Sequence, residues 1–178
     1  STTILVFGGG VPGDLGGFVA ATFMRGIDYF QIPTTLLSMV DSSIGGKTGI
    51  NLDAGKNLVG SIYQPKGIFI DPEFLATLPS EEIVSGLGEI LKYGAIYDKE
   101  FLSSISRGLD ELELFPFSEA IKRSCEIKAE VVSKDENEKD SAITITELDG
   151  SWKTACESQS DDNQSEIETF TISAVVLS

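Results

Sequence analysis

Gly8-Gly9-Gly10-Val11-Pro12-Gly13 satisfies the spacing G-x-G-x-x-G, directly after the β-prone run Thr2 to Phe7 and ahead of an apolar helical period. Glycines there let the backbone approach a diphosphate closely, and the unpaired N–H groups and positive end of the following helix favour an anion. A sharp turn with no ligand fits the same residues, and on the motif alone both readings stand. The ordinary dinucleotide fingerprint also wants an acid at the end of the next strand to hold a ribose, whereas Asp28 begins that strand. Asp14 is expected in the first turn of the helix, where the dipole favours any carboxylate by a few tenths to ~1 kcal/mol. Gly45-Gly46-Lys47-Thr48 looks like the end of a phosphate-binding loop, but Asp41 stands where the first glycine of that loop is required. What remains is Asp41, Lys47, Lys56 and Asn57 in a short Gly-rich stretch, a set able to bind hydroxyls and phosphate together. Ordinary solvated lysines are the alternative. Further on, Glu89 and Lys92 are spaced i, i+3 and share a helix face beside Gly86 and Gly88, glycines that suggest close approach of another group. A surface ion pair is the other reading.

These residues need elements to position them. A strand over Thr2 to Phe7, a tight glycine turn and a helix with an apolar period through Leu15, Phe18, Val19, Thr22 and Phe23 come first. Tyr29 to Ile32 reads as a second strand closed by Pro33, with Thr34 placed to cap a short helix through Leu36, Leu37 and Val40. Together they form a β-α-β unit, whose natural packing is a parallel sheet. Residues 42 to 66 read as ordered loops with short strands, followed by a strand near Gly67 to Ile70. From Asp71 the texture turns helical. Ser80-Glu81-Glu82 opens a helix with the stripe Ile83, Val84, Leu87, Ile90 and Leu91, and Lys92-Tyr93-Gly94 is its expected stop. Further helices are expected near Lys99 to Arg107 and from Phe117 to about Lys134, and strand-like alternation returns at Ile143 to Thr146, Trp152 to Ala155 and Thr169 to Leu177. The expected fold class is therefore α/β followed by mainly α: an α/β portion over residues 1–71, a helical portion over 72–140 and a β-rich acidic tail over 141–178.

The 178 residues carry a net charge of −15, which argues against nucleic acid or an anionic membrane as a partner, because either needs excess Lys and Arg at the contact. Charge is uneven: residues 1–70 are balanced, with four acids and four bases, so the rest of the chain carries the whole excess. Cations able to hold an anionic ligand thus sit in the neutral, Gly-rich part. Apolar runs are broken well before the ~20 residues a bilayer span needs, and the two cysteines, Cys125 and Cys156, offer no disulfide framework. A cytoplasmic protein is expected.

Read as one string, these segments resemble the 3-dehydroquinate synthase family of the sugar phosphate cyclases. The resemblance covers about residues 4–140. It rests on the glycine turn with Asp14-Leu15-Gly16-Gly17-Phe18, on Met24-Arg25-Gly26, on Pro33-Thr34-Thr35-Leu36-Leu37, on Val40-Asp41-Ser42-Ser43-Ile44-Gly45-Gly46-Lys47-Thr48-Gly49, and on Gly55-Lys56-Asn57-Leu58. It continues through Phe74-Leu75-Ala76-Thr77-Leu78-Pro79, Gly88-Glu89-Ile90-Leu91-Lys92-Tyr93-Gly94 and Lys134-Asp135-Glu136. The resemblance implies that Gly10, Val11, Pro12, Gly13, Asp14, Thr34, Thr35, Lys47, Lys56, Phe74, Leu75, Ala76 and Thr77 contact NAD. It implies that Asp41, Lys47, Asn57 and Lys92 line the pocket for a sugar phosphate substrate. Arg25 would reach a phosphate in the neighbouring subunit of a homodimer, and Glu89 would ligate a divalent metal, zinc or cobalt.

The same resemblance exposes a break. The family continues past Lys134-Asp135-Glu136 into histidine-bearing segments that complete a three-ligand metal site with Glu89, whereas this chain reads Asp140-Ser141-Ala142-Ile143 and contains no histidine. Three accounts are open: a fragment or altered product with a replaced tail, which is preferred because the match stops abruptly near Asp140; a noncatalytic nucleotide-binding relative; or half of a split enzyme. Within the enzyme class the rival is another sugar phosphate cyclase, such as a 2-deoxy-scyllo-inosose synthase or a sedoheptulose phosphate cyclase. An incomplete sheet is expected to aggregate or dimerise unless tail strands cover it.

Overall fold

The computed structural model describes residues 2–106, 108–109, 112–134, 141–148, 151–158 and 173–176, and gives only the backbone for residues 57, 113 and 134 and for everything beyond 140. The first unit is the expected β-α-β: β1 (Ile4–Gly8), α1 (Gly10–Thr22) and β2 (Tyr29–Pro33), with β1 and β2 parallel and paired from Ile4↔Tyr29 to Gly8↔Pro33. Strand β5 (Gly67–Ile70) adds in parallel to β2. Strand β8 (Ser173–Val176), contributed by the tail, pairs in parallel with β5 from Gly67↔Ser173 to Ile70↔Val176. The order β1-β2-β5-β8 leaves β1 at one edge and covers β5 at the other.

Helix α1 does not pack as its apolar period suggests. Leu15, Val19 and Phe23 are 49%, 42% and 51% exposed, while Gly13, Gly17 and Ala20 form the buried face. The reason is distance: a Cβ on Gly16 would stand 2.4 Å from Val6 Cγ2, and one on Gly17 would stand 2.4 Å from Thr48 Cγ2. Small residues bring the helix axis down onto the sheet, and the large ones are left outside.

Residues 42 to 66, expected as ordered loops with short strands, hold two strands that pair with each other. Strands β3 (Lys47–Leu52) and β4 (Gly55–Ile62) form an antiparallel hairpin, paired Lys47↔Ile62 through Leu52↔Gly55. Two glycines face each other in it, Gly49↔Gly60, where a Cβ would run into the opposing backbone at 2.8 Å and 2.3 Å respectively. Glycine-rich strands carry little side-chain pattern, which is why periodicity misses them.

The helical part comprises α2 (Ser80–Tyr97), α3 (Lys99–Ser106) and α4 (Phe117–Lys134). Gly94 does not stop α2. It lies where Leu102 of α3 packs closely, 3.0 Å from a would-be Cβ, and the helix ends at Asp98, whose carboxylate accepts from the Phe101 N–H and so opens α3. Arg123 of α4 ties Asp98 at 2.7 Å and Glu126 at 2.8 Å. One continuous core runs from Leu36 and Val40 through Ile68 and Ile70 to Ile90, Ile105 and Ile121, so the helices close over the parallel sheet. The tail also forms an antiparallel hairpin, β6 (Ser141–Leu148) with β7 (Ser151–Ser158).

Candidate functional site

Because β1, β2 and β5 run parallel, the segments that follow them emerge at one edge of the sheet, where open α/β sheets present their ligand crevice. After β1 comes the glycine turn, after β2 Thr34-Thr35, and after β5 the short helix Pro72–Thr77 capped by Asp71. Contacts between them are direct. The Thr34 N–H donates to the Gly8 carbonyl at 3.0 Å, a Cβ on Gly9 would stand 2.9 Å from Thr35 Cγ2, and the Phe7 and Phe74 rings meet edge to face at 5.2 Å. The expected dinucleotide-contacting segments are thus gathered.

Gly9, at the N-cap of α1, brings no side-chain acceptor, and among the described residues no side chain caps the first N–H groups of the helix. A Cβ on Gly10 would lie 3.2 Å from Ser42 Oγ, and one on Gly13 would lie 3.2 Å from Gln31 Oε1. An uncapped helix start with bare backbone beside hydroxyl and amide groups fits a diphosphate. Two details differ from expectation. Asp14 is the fifth residue of α1, beyond the first turn, and Thr35 rather than Thr34 makes the local cap, its hydroxyl accepting from the Ser38 N–H at 3.2 Å.

Beside this turn lies a cavity of about 660 Å³ whose lining includes Asp14, Asp41, Ser42, Lys47 and Lys128 together with Thr48 and the second half of β4. Asp41 sits on the single π-helical turn Ser38–Ser42, which turns it toward α2 and α4. Its Oδ1 accepts from Lys128 Nζ at 2.8 Å and from Tyr93 Oη at 2.8 Å. Burial alone would push the Asp41 carboxyl up, but the Lys128 ammonium outweighs it, aided by the Tyr93 hydroxyl and the charge of Lys92, and holds the group below the usual range. Asp14 has no such compensation, and burial raises it. Tyr93 is pushed far up, first by burial and then by Asp41 and Glu89.

Glu89 is on α2 in ion contact with Lys92. Its charge is felt by Tyr93, yet its Oε1 is buried and accepts no well-directed hydrogen bond. That oxygen is the one Lys92 Nζ pairs with, so Glu89 already has a cationic partner within its own helix. No three His, Cys, Asp or Glu side chains gather among the described residues, and a catalytic zinc wants three protein donors. One carboxylate does not fit a resident metal.

Lys56, Lys92 and Arg25 are not among the residues that line the cavity. Lys47 starts β3 at the base of the hairpin and Lys56 lies near its tip beside the Leu52↔Gly55 pair, so about four residues of strand, roughly 13 Å at ~3.3 Å each, separate them. Of Asn57 only the backbone is described, next to Lys56 on β4. Arg25 is exposed past the far end of α1, in a left-handed conformation at φ 69°. Lys128 went unread in the sequence, although a signal existed: it falls in phase with Ile121, Cys125 and Val132 on the inward stripe of α4, where a cation demands a partner.

Residues 1–85 match the family model for the 3-dehydroquinate synthase N-terminal domain, and residues 86–145 that for the 3-dehydroquinate synthase C-terminal domain. These matches fall on a chain whose dinucleotide-type glycine turn stands at the carboxyl edge of a parallel sheet, beside an acid- and lysine-lined cavity. The chain belongs to the 3-dehydroquinate synthase family. It is 57% identical over 141 residues to a 3-dehydroquinate synthase of Alkaliphilus metalliredigens, covering 78% of this chain and 40% of that protein. A 3-dehydroquinate synthase of Idiomarina loihiensis is 56% identical over 139 residues, covering 76% and 39%. The chain therefore spans about two fifths of the length of the curated relatives it matches. Among solved structures, 2-epi-5-epi-valiolone synthase from Streptomyces hygroscopicus, with NAD+ and Zn2+ bound, superposes with a TM-score of 0.67 at 33% identity, covering 76% of this chain and 40% of the other. A 2-deoxy-scyllo-inosose synthase complexed with carbaglucose-6-phosphate, NAD+ and Co2+ gives 0.67 at 32% identity, covering 78% and 39%. No helix among the described residues is long and apolar enough to cross a membrane.

Proposed function

We propose that this chain is part of a 3-dehydroquinate synthase, an NAD-dependent, phosphate-eliminating carbon–oxygen lyase. Its substrate would be 3-deoxy-arabino-heptulosonate 7-phosphate, converted to 3-dehydroquinate and phosphate in aromatic amino acid biosynthesis in the cytoplasm. The observation that carries this reading is one cavity in which a partnered aspartate and two lysines, Lys47 and Lys128, open beside an uncapped glycine turn. The greater identity to 3-dehydroquinate synthases than to the other cyclases favours this member of the class.

In this reading the Gly10 to Asp14 turn, with Thr34, Thr35 and the Phe74 to Thr77 segment, holds NAD, which when bound takes a hydride from a substrate alcohol and later returns it. Asp41 accepts a hydrogen bond from a substrate hydroxyl, and Lys47 and Lys128 neutralise the anionic groups, including the phosphate that leaves. The family resemblance assigns Lys56 to NAD and Asn57 and Lys92 to the substrate, although Lys56 and Lys92 are not among the residues that line the cavity. The position of Arg25 on the outer surface suits a reach into a second copy in a homodimer. A divalent ion, zinc or cobalt, belongs to this reading only if donors join Glu89 from outside the described residues.

A noncatalytic NAD-binding relative is the second reading, favoured by the solitary Glu89. Calorimetry with NAD and a phosphate-release assay with the heptulosonate phosphate, NAD and zinc separate the two. Measurable NAD binding is expected, and phosphate release identifies the enzyme. A chain that binds neither NAD nor the sugar phosphate contradicts both.

A further inference from the structure

Tyr93 is 3% exposed on the inward face of α2, among residues that need only apolar bulk to fill the core. A hydroxyl buried there is costly unless it is partnered. Its partner is Asp41, 52 residues away in sequence, through the 2.8 Å bond to Oδ1, with the Val40 carbonyl at 3.4 Å as a weaker acceptor. The same oxygen takes Lys128 Nζ from α4. Among the described residues no hydrogen bond reaches Asp41 Oδ2, although Asp41 lines the cavity. Two donors from two helices therefore converge on one oxygen and leave the other unclaimed.

The donors are not equivalent. Lys128 carries its charge on a flexible four-carbon stem with rotatable donors, so it supplies charge without dictating a rotamer. Tyr93 presents its hydroxyl from a rigid ring locked in the core, and so defines a direction. We propose that Tyr93 is a positioning residue: it anchors Asp41 Oδ1 and thereby leaves Oδ2 as the acceptor for a hydroxyl of a polyol ligand in the cavity. This rests on the sugar phosphate reading only for the ligand used in the first test below.

In the full chain, Tyr93→Phe keeps the ring and removes one oxygen. Calorimetric titration with 3-deoxy-arabino-heptulosonate 7-phosphate is expected to show about tenfold weaker binding than wild type, with the affinities for NAD and inorganic phosphate unchanged. In an Asp41→Asn background the added Tyr93→Phe is expected to cost nothing more, because its effect passes through Asp41. Equal weakening for all three ligands, or a full loss that persists in the Asp41→Asn background, overturns the proposal. A second readout needs no ligand. The carboxyl carbon resonance of Asp41 in aspartate-labelled protein is expected to move in Tyr93→Phe and to stay in place in Tyr97→Phe, a residue that is 53% exposed. An unmoved resonance in Tyr93→Phe overturns the positioning role whether or not the wild-type chain binds the sugar phosphate, whereas absent binding by wild type counts against the functional reading instead.

Discussion

Asp14 and Asp41 face the same cavity with opposite electrostatics, and the difference lies in what touches them. Asp41 has Lys128 and Tyr93 on one oxygen, while burial of Asp14 goes uncompensated. The folded state therefore holds the Asp14 proton more tightly than the unfolded chain does. The stability gained from that proton is complete below the ordinary value of 3.8 and drains away as pH rises through the raised folded value. Asp14→Asn should melt higher than wild type at neutral pH, with the difference closing in acid. Circular dichroism melts across that range check this, and equal melting at neutral pH would refute it. A destabilising carboxylate at a cavity wall is the kind of group retained for binding rather than for folding.

At the scale of elements, glycine decides where α1 and α2 sit. Gly16 and Gly86 are spacers: a Cβ would meet Val6 at 2.4 Å in the first case and Leu36 at 2.5 Å in the second. Gly88, on the same helix as Gly86, has nothing within 4 Å of a would-be Cβ. Gly88→Ala should therefore stabilise by about 0.5–1 kcal/mol through helix propensity. Gly16→Ala should destabilise by about 1–3 kcal/mol, because forcing the helix off the sheet outweighs the same propensity gain. Urea denaturation of the two variants decides it, and the same sign for both would mean that the α1–sheet contact is looser than described. Of the two glycines expected beside Glu89 to admit another group, only Gly86 does so, and the group admitted is part of the protein's own core.

For the whole molecule, the sheet has one covered and one open edge. Strand β8 from the tail lies along β5, while β1 ends the sheet on the other side. Leu5, Phe7, Val11 and Leu15 are all largely exposed, the first three by 60% or more. Removing residues 141–178 should uncover β5 as well. The truncated chain is expected to bind more hydrophobic dye and to self-associate faster in sedimentation velocity than the full chain. Identical behaviour of the two would mean that β8 contributes no cover.

The order of strand, glycine turn and helix, and the parallel pairing that follows from it, was written in local sequence, because turn chemistry and periodicity act over a few residues. Type and spacing also marked Asp14, Asp41 and Lys47, three of the residues that line the cavity, but gave each of them a plain structural reading as well. Which of them meet was not local. Lys128 joins Asp41 across 87 positions, Tyr93 across 52, and Lys56 stands apart from Lys47 because an antiparallel hairpin carries it to the other end. The outward turn of Leu15, Val19 and Phe23 was equally hidden, since an apolar period says which face is greasy but not whether small residues opposite it allow a closer fit. Short-range chemistry chose the elements; packing distance between elements far apart in the chain chose the partners of each charge.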